Sequence, residues 1–391
     1  MLSYKFLFDI ALILLSTKLL GLITKKFKMP QVVGALLAGI VLGPACLNML
    51  HETDFIGQMS ELGVIVLMFT AGLETDIREL KKTGKVSFVV AIMGVVIPLI
   101  VGFLIAMIFN NGQVSAGDVS PILQNIFIGV ILTATSVSIT VETLKEMGKL
   151  STKAGNTILG AALIDDILGV VALTVVTGLA DASINVWVVL IKIILFFIFA
   201  GVSGYLFYMV FNKMVSRYHK DMRRFVIVAF VFCLLLSFFA EELFGVADIT
   251  GAFIAGLIIS NTERTRYINS RFETLSYILL SPIFFASIGI KVEIGTMTVD
   301  ILIFTIVLLI AAILTKILGC ALGAKLFGYS TDESIQVGTG MVSRGEVALI
   351  VANKGIAVGL MNPNFLAPIV IVVVITTIIT PILLKVVFKN G

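Results

Sequence analysis

Apolar residues run through this chain in long unbroken stretches, divided by short polar or glycine- and proline-bearing links, with no regular alternation of apolar and polar positions. Thirteen stretches stand out, at roughly 5–25, 31–49, 57–73, 87–109, 121–143, 154–179, 186–211, 224–240, 248–261, 274–290, 300–326, 335–353 and 366–387. Most approach the ~20 residues that carry a helix across a bilayer core, and the missing two-residue period excludes a membrane barrel. The pattern predicts an all-α polytopic membrane protein with about 13 transmembrane helices.

Two of these stretches are poor continuous helices. "TATSVSITVETL" (133–144) holds Thr133, Thr135, Ser136, Ser138 and Thr140 close together, and "GTGMVSRGEVALIV" (338–351) sets Gly338, Gly340 and Gly345 beside Ser343, Arg344 and Glu346. Backbone that leaves the helix at membrane depth survives only inside protein or along a watery cavity. If the seventh stretch is a linker, stretches 1–6 and 8–13 form two halves of opposite orientation, an inverted-topology repeat in which the fifth and twelfth are partners. Either break alone would pass for a small-residue packing face. Two in corresponding places point to a transport site near the midplane.

Composition agrees with this picture. Of 391 residues, 59% are hydrophobic and 13% charged, about half the charged share of soluble domains, and the mean hydropathy is +1.11. Alternating the links between two sides puts 21 of the 28 Lys and Arg residues on one face, Lys28, Arg217 and Lys220 among them. By the positive-inside rule the N-terminus is expected outside and the C-terminus in the cytoplasm, in the plasma membrane of a prokaryote. The net charge of +4 then calls for no nucleic-acid partner. Cys46, Cys233 and Cys320 are scattered, and His51 and His219 sit in polar links, so neither type suggests a resident metal or a disulfide. The first stretch lacks the cleavage features of a signal peptide and reads as a true span. No soluble regulatory domain is expected.

The charges left inside the stretches carry the chemistry. Asp165 and Asp166, in "ALIDDILGVV" (162–171), lie roughly eleven residues into the sixth stretch, about 17 Å along a helix and close to mid-membrane. An ionised aspartate there costs a few kcal/mol, so two of them need partners or work. Neighbours on a helix point about 100° apart, so one is free to hold an ion pair while the other faces a cavity. Lys316, mid-way through the eleventh stretch with Gly319 and Gly323 nearby, is the expected counter-charge. Arg344 and Glu346 are expected to pair with each other or to plug the half-helix ends. Asp248, at the start of the ninth stretch, reads as a helix N-cap.

At this point the residues resemble a known family. "KMPQVVGALLAGIVLGP" (28–44), "ELGVIVLMFTAGLETD" (61–76), "TATSVSIT" (133–140), "ILGAALIDDILGVV" (158–171), "GAFIAGLIIS" (251–260), "SPIFFASIGIKV" (281–292) and "GTGMVSRGEVALIVA" (338–352) are similar, in order and from end to end, to the signatures of the cation:proton antiporter-2 family, nearest to its NapA-type sodium/proton antiporters. The resemblance implies an NhaA/NapA-like fold with two crossing discontinuous helices. It implies a homodimer in the lipid membrane, with a dimerisation domain (about 1–60 and 186–290) and a core (about 61–179 and 291–391) that moves like an elevator. It also implies that Asp166 is the main ion- and proton-binding carboxylate, that Asp165 pairs with Lys316, and that Thr135 and Ser136 lie at the crossover beside the site. Arg344, Glu346, Gly340 and Gly345 support that crossover. In the family an Asp-Asp pair with the lysine goes with electrogenic exchange of sodium or lithium for protons, whereas potassium-efflux members usually carry Gln-Asp and a nucleotide-binding domain. No cofactor is implied beyond the transported ions.

The expected function is thus an electrogenic sodium(lithium)/proton antiporter and not an enzyme, with Na⁺ and H⁺ competing at the Asp-Asp pair. Potassium/proton exchange is the main alternative. A sodium-coupled organic-anion carrier would need a roomier polar cavity. An intramembrane aspartyl protease would need carboxylates facing each other, which adjacent helical residues do not provide.

Overall fold

The computed structural model describes residues 4–26, 29–109, 119–180, 186–217, 222–292 and 299–389, and no strand occurs among them. Lys28 and Lys220, and the side chains of Arg217 and Glu346, lie outside the described residues. Each predicted stretch coincides with a helix or with two helices end to end. Among the described residues nine helical segments are long and apolar enough to cross a membrane, and shorter apolar helices lie between them.

The helices gather into two bundles. One holds α1 (Lys5–Lys26), α2 (Gln31–Leu42), α3 (Asp54–Glu74), α9 (Met222–Phe244), α10 (Asp248–Ile259), α11 (Thr265–Leu275) and α12 (Ser281–Ile290). The other holds α4 (Ile77–Phe109), α5 (Pro121–Ile131), α6 (Val137–Glu146), α7 (Lys153–Ala180), α13 (Val299–Lys325), α14 (Thr331–Gly340), α15 (Glu346–Ala357) and α16 (Leu366–Lys389). The long α8 (Val186–Arg217) touches α7 on one side and α9 and α10 on the other, and so spans the seam.

Three departures from the hydropathy pattern have physical causes. The second stretch ends its helix early, because Gly43 and Pro44 stop α2 at Leu42 and residues 47–50 fold back to donate N–H groups to the Val41, Leu42 and Gly43 carbonyls. The tenth stretch begins earlier than expected, at Thr265, because Arg266, Asn269, Arg271 and Glu273 hide α11 from a hydropathy scan while Ile268 and Phe272, four apart, bury its inner face. Phe272 stacks edge-on against Phe69, and a π-helical turn at Ser276–Leu280 joins α11 to α12. Finally, Asp248 is the first residue of α10 rather than its cap: Ala247 takes that place, and the Asp248 carboxylate accepts the Ile249 N–H at 2.7 Å.

Backbone contact replaces side-chain packing where α3 meets α10. A Cβ on Gly72 would strike the Phe253 carbonyl, and one on Gly256 would strike that of Phe69. Without a hydrophobic drive between helices in lipid, such close approach supplies the dispersion that holds them. At the basic end two polar links cross the seam. Both Glu146 oxygens accept the Gln31 N–H at 2.9 Å, capping α2, which has no side-chain cap of its own. Lys145 reaches Glu74 at 3.2 Å and the Thr70 hydroxyl at 3.2 Å.

The entry of α14 is fixed by a capping box: Ser330 Oγ accepts the Glu333 N–H at 3.1 Å, and the Glu333 carboxylate accepts the Ser330 N–H at 2.9 Å. Ser330→Ala is expected to cost about 1 kcal/mol, read as a lowered midpoint in thermal melting of the purified protein. Exchange should be unchanged in rate, because the cap lies at the surface and away from the crossover.

Candidate functional site

Both polar stretches break where their composition places the break. Residues 132–136 separate α5 from α6, and residues 341–345 separate α14 from α15. Each break leaves peptide groups that an intact helix would pair, and in a membrane protein these need partners within the protein. The two breaks supply one another. Ser136 N–H donates to the Ser343 carbonyl at 2.7 Å, and Thr140 Oγ1 donates to the Gly340 carbonyl at 2.8 Å. Thr377, on α16, donates its hydroxyl to the Arg344 carbonyl at 2.5 Å.

Arg344 occupies the crossing itself, 1% exposed. Its Nη1 donates to the Ala134 carbonyl at 2.5 Å and its Nη2 to the Ala312 carbonyl at 3.2 Å. The guanidinium therefore places positive charge at the carboxyl end of α5, where the helix dipole is negative, and ties that end to α13. The Ala134 contact lies at such a half-helix end, and the expected pairing with Glu346 falls on a side chain outside the described residues. Gly345 fits there for want of a Cβ, which would sit 2.6 Å from Ser136 Oγ. Gly345→Ala is expected to force the two breaks apart and abolish exchange, with a loss of about 1–3 kcal/mol in stability, read from vesicle assays beside a melting curve. A Cβ on Gly340 would strike the Ile158 side chain, 2.5 Å from its Cδ1 and 2.8 Å from its Cγ1.

The long helices α7 and α13 bring their charges together beside this crossing. Lys316 Nζ lies 2.9 Å from Asp165 Oδ1, the lysine 0% and the aspartate 2% exposed. The Thr135 side chain adjoins the Asp165 carboxylate, and Arg344 is close enough to act on it electrostatically. α4 presses its bare Gly94 backbone against the pair: a Cβ there would lie 2.8 Å from Cys320 Sγ, 3.4 Å from Lys316 Nζ and 3.6 Å from Asp165 Oδ1. Cys320, one turn beyond Lys316, donates its thiol to the Val90 carbonyl at 3.6 Å.

Asp166 points elsewhere. It lines a small cavity of about 10 Å³ at the seam, together with Val170 one turn on, Ile193 of α8, the link Gly245–Ala247 and Thr250 of α10. That volume accommodates one water-sized particle. A wide cleft of about 790 Å³ runs between α4 and α7 on one side and α8 and α10 on the other, from Ile77 and Asn261 at the basic end to Ile167 and Thr250, which also line the small cavity.

The structure thus gathers Asp165, Lys316, Thr135, Ser136, Gly345 and Arg344 at the crossing and sets Asp166 on the adjacent face. Gly94, Thr377 and Thr250 escaped the sequence reading, and Ser343 figures there only as part of the break. The Ser343 hydroxyl is fully buried in the crossing with no partner among the described residues. Carboxylates, hydroxyls and freed carbonyls are hard oxygen donors, suited to a small dehydrated alkali cation or to a proton. Among the described residues no cluster suited to a bound polyvalent metal occurs.

Known proteins carry the same plan. The profile of the family "Sodium/hydrogen exchanger, transmembrane" matches residues 11–390. The chain is 39% identical to the Na⁺/H⁺-K⁺ antiporter GerN of Bacillus cereus, over 99% of this chain and 97% of that one. It is 36% identical to an Na⁺/H⁺ antiporter of Enterococcus hirae, covering 97% of each. Among solved structures, the sodium proton antiporter MjNhaP1 of Methanocaldococcus jannaschii superposes with a TM-score of 0.70 over 98% of both chains at 21% identity, and so shares the fold. A match along almost the whole length, with two split helices crossing over buried charges, settles descent: the chain belongs to the sodium/hydrogen exchanger family.

Proposed function

We propose that this protein exchanges cytoplasmic sodium or lithium for external protons, with Asp166 as the group that binds either ion. The observation that carries this reading is the division of labour on α7: Asp165 is held by Lys316 at 2.9 Å, while Asp166 faces a cavity of ion size at the seam between bundles. The family relatives named as sodium/proton antiporters support it. A carboxylate that holds a proton does not hold a cation, so the two compete, and a charge at membrane depth makes half-buried Asp166 costly to move without an ion. The bundle of α4–α7 and α13–α16 then shifts only when loaded, which couples the fluxes.

In this reading that bundle is the elevator and α1–α3 with α9–α12 is the scaffold, the part through which two copies associate as a homodimer. The packing of α3 on α10 and α12 favours a boundary at the α3–α4 turn, near residue 75, instead of near residue 60. The wide cleft opens at the basic end and shares Ile167 and Thr250 with the cavity of Asp166, which supports a state open to the cytoplasm with the N-terminus outside. Sodium at Asp166 draws on Asp165 too and releases Lys316 to shed its proton, which makes the exchange electrogenic.

The test uses proteoliposomes with an acidic interior and a pH-sensitive dye. Sodium and lithium are expected to dissipate the gradient. Dissipation by potassium alone would move the function to potassium/proton exchange, a second reading favoured by the full-length likeness to a relative named for sodium, protons and potassium. No response to any of the three cations would overturn both.

A further inference from the structure

We infer that Thr250, on the scaffold helix α10, lends its hydroxyl oxygen to the cation held by Asp166, and does so only while the core faces the basic end. The side chain is 2% exposed, and its Oγ1 has no partner among the described residues. A buried hydroxyl left without a partner loses about 1–3 kcal/mol of solvation, and a threonine in a helix ordinarily escapes this by bonding to a carbonyl in the preceding turn. Thr174, Thr177, Thr305, Thr315, Thr376 and Thr380 in this protein all do so. Thr250 does not, and it lines both the small cavity of Asp166 and the end of the wide cleft.

The surroundings suit a cation. The first turn of α10 presents a partial positive charge, which Asp248 offsets by accepting the Ile249 N–H at 2.7 Å. The rest of the small cavity is apolar side chain, from Ile167, Val170, Ile193 and Val246, plus the backbone of Gly245–Ala247. An incoming ion that has shed water there needs oxygen from the protein, and Thr250 holds an unused one. Because α10 packs on α3 and α9 in the scaffold, the ligand stays behind when α7 moves. The site therefore binds its cation more tightly from the basic face than from the opposite face, which is the sense that favours export at low internal sodium.

This rests on Asp166 being the carrier, and the experiment separates the two. Exchange is followed in everted and in right-side-out vesicles of an antiporter-deficient host, comparing Thr250→Val, Thr250→Ser and Asp166→Asn with the wild type. Thr250→Val is expected to raise the KM for sodium about ten-fold, the equivalent of one lost oxygen ligand, from the basic face alone. The rate at saturation should stay within about two-fold, and the effect should be larger for lithium than for potassium, as the smaller ion depends more on close oxygen donors. Thr250→Ser, which keeps the oxygen, should behave as wild type. An unchanged KM, an equal shift at both faces, or a serine variant that matches the valine variant would overturn the inference while leaving Asp166 in place. Normal exchange by Asp166→Asn would bring down both. If the valine protein fails to accumulate, Thr250→Cys, which replaces the hard oxygen with sulfur, is expected to give the same one-sided shift.

Discussion

Asp166→Asn protein in proteoliposomes is expected to dissipate no more of an imposed proton gradient than empty liposomes do, whichever cation is added. The substitution removes one charge from a half-buried side chain and leaves the volume almost unchanged, so the helix and the seam should hold and the variant should melt close to the wild-type temperature. Asparagine neither binds a proton near neutral pH nor neutralises a cation, and both halves of the cycle stop together. The same competition sets the pH behaviour of the wild type. In the range where protons hold the site, each unit of acidification should raise the apparent KM for sodium about ten-fold while leaving the rate at saturating sodium nearly constant, because the cation binds only the deprotonated form. A variant that still exchanged at the wild-type rate would remove Asp166 from the mechanism, and a KM indifferent to pH would mean that proton and cation bind at separate places.

The groups that carry this mechanism differ in how far the sequence exposes them. Asp165, Asp166, Lys316 and Arg344 are legible because each is a charge in an apolar run, and the bilayer makes such residues expensive unless they serve. The breaks at 132–136 and 341–345 are legible from hydroxyls and glycines where a continuous span would carry aliphatic residues. The partners of Arg344 are not, since it bonds to the carbonyls of Ala134 and Ala312, and every residue has a carbonyl. Gly94 carries no local signal either: one more glycine in a long apolar helix acquires meaning only when α4 lies against the Lys316–Asp165 pair. Thr250 is hidden for a similar reason, because most threonines in these helices bond to their own backbone and only the three-dimensional arrangement shows one that does not. The helix α11 stayed hidden because hydropathy reads mean character, and its inner face of Ile268 and Phe272 is diluted by charged neighbours.

Separating the buried pair should give an asymmetric result. Asp165→Asn strands an ammonium that is 0% exposed, and breaking such a pair on one side costs about 3–5 kcal/mol; the protein should express poorly or melt far below the wild type. Lys316→Gln strands a carboxylate that keeps the Thr135 side chain beside it and the Arg344 guanidinium nearby, so its loss should be smaller. Removing both charges in Asp165→Asn with Lys316→Gln should recover most of the stability, since two neutral amides leave no buried charge uncompensated. Transport discriminates further. If Lys316 sheds a proton whenever sodium arrives, Lys316→Gln and the double variant should still exchange sodium for protons, but a membrane potential should no longer drive or oppose them. A folded Lys316→Gln protein that remained sensitive to membrane potential would confine the lysine to holding α13 against α7, and the extra charge moved per cycle would have to come from Asp165 alone.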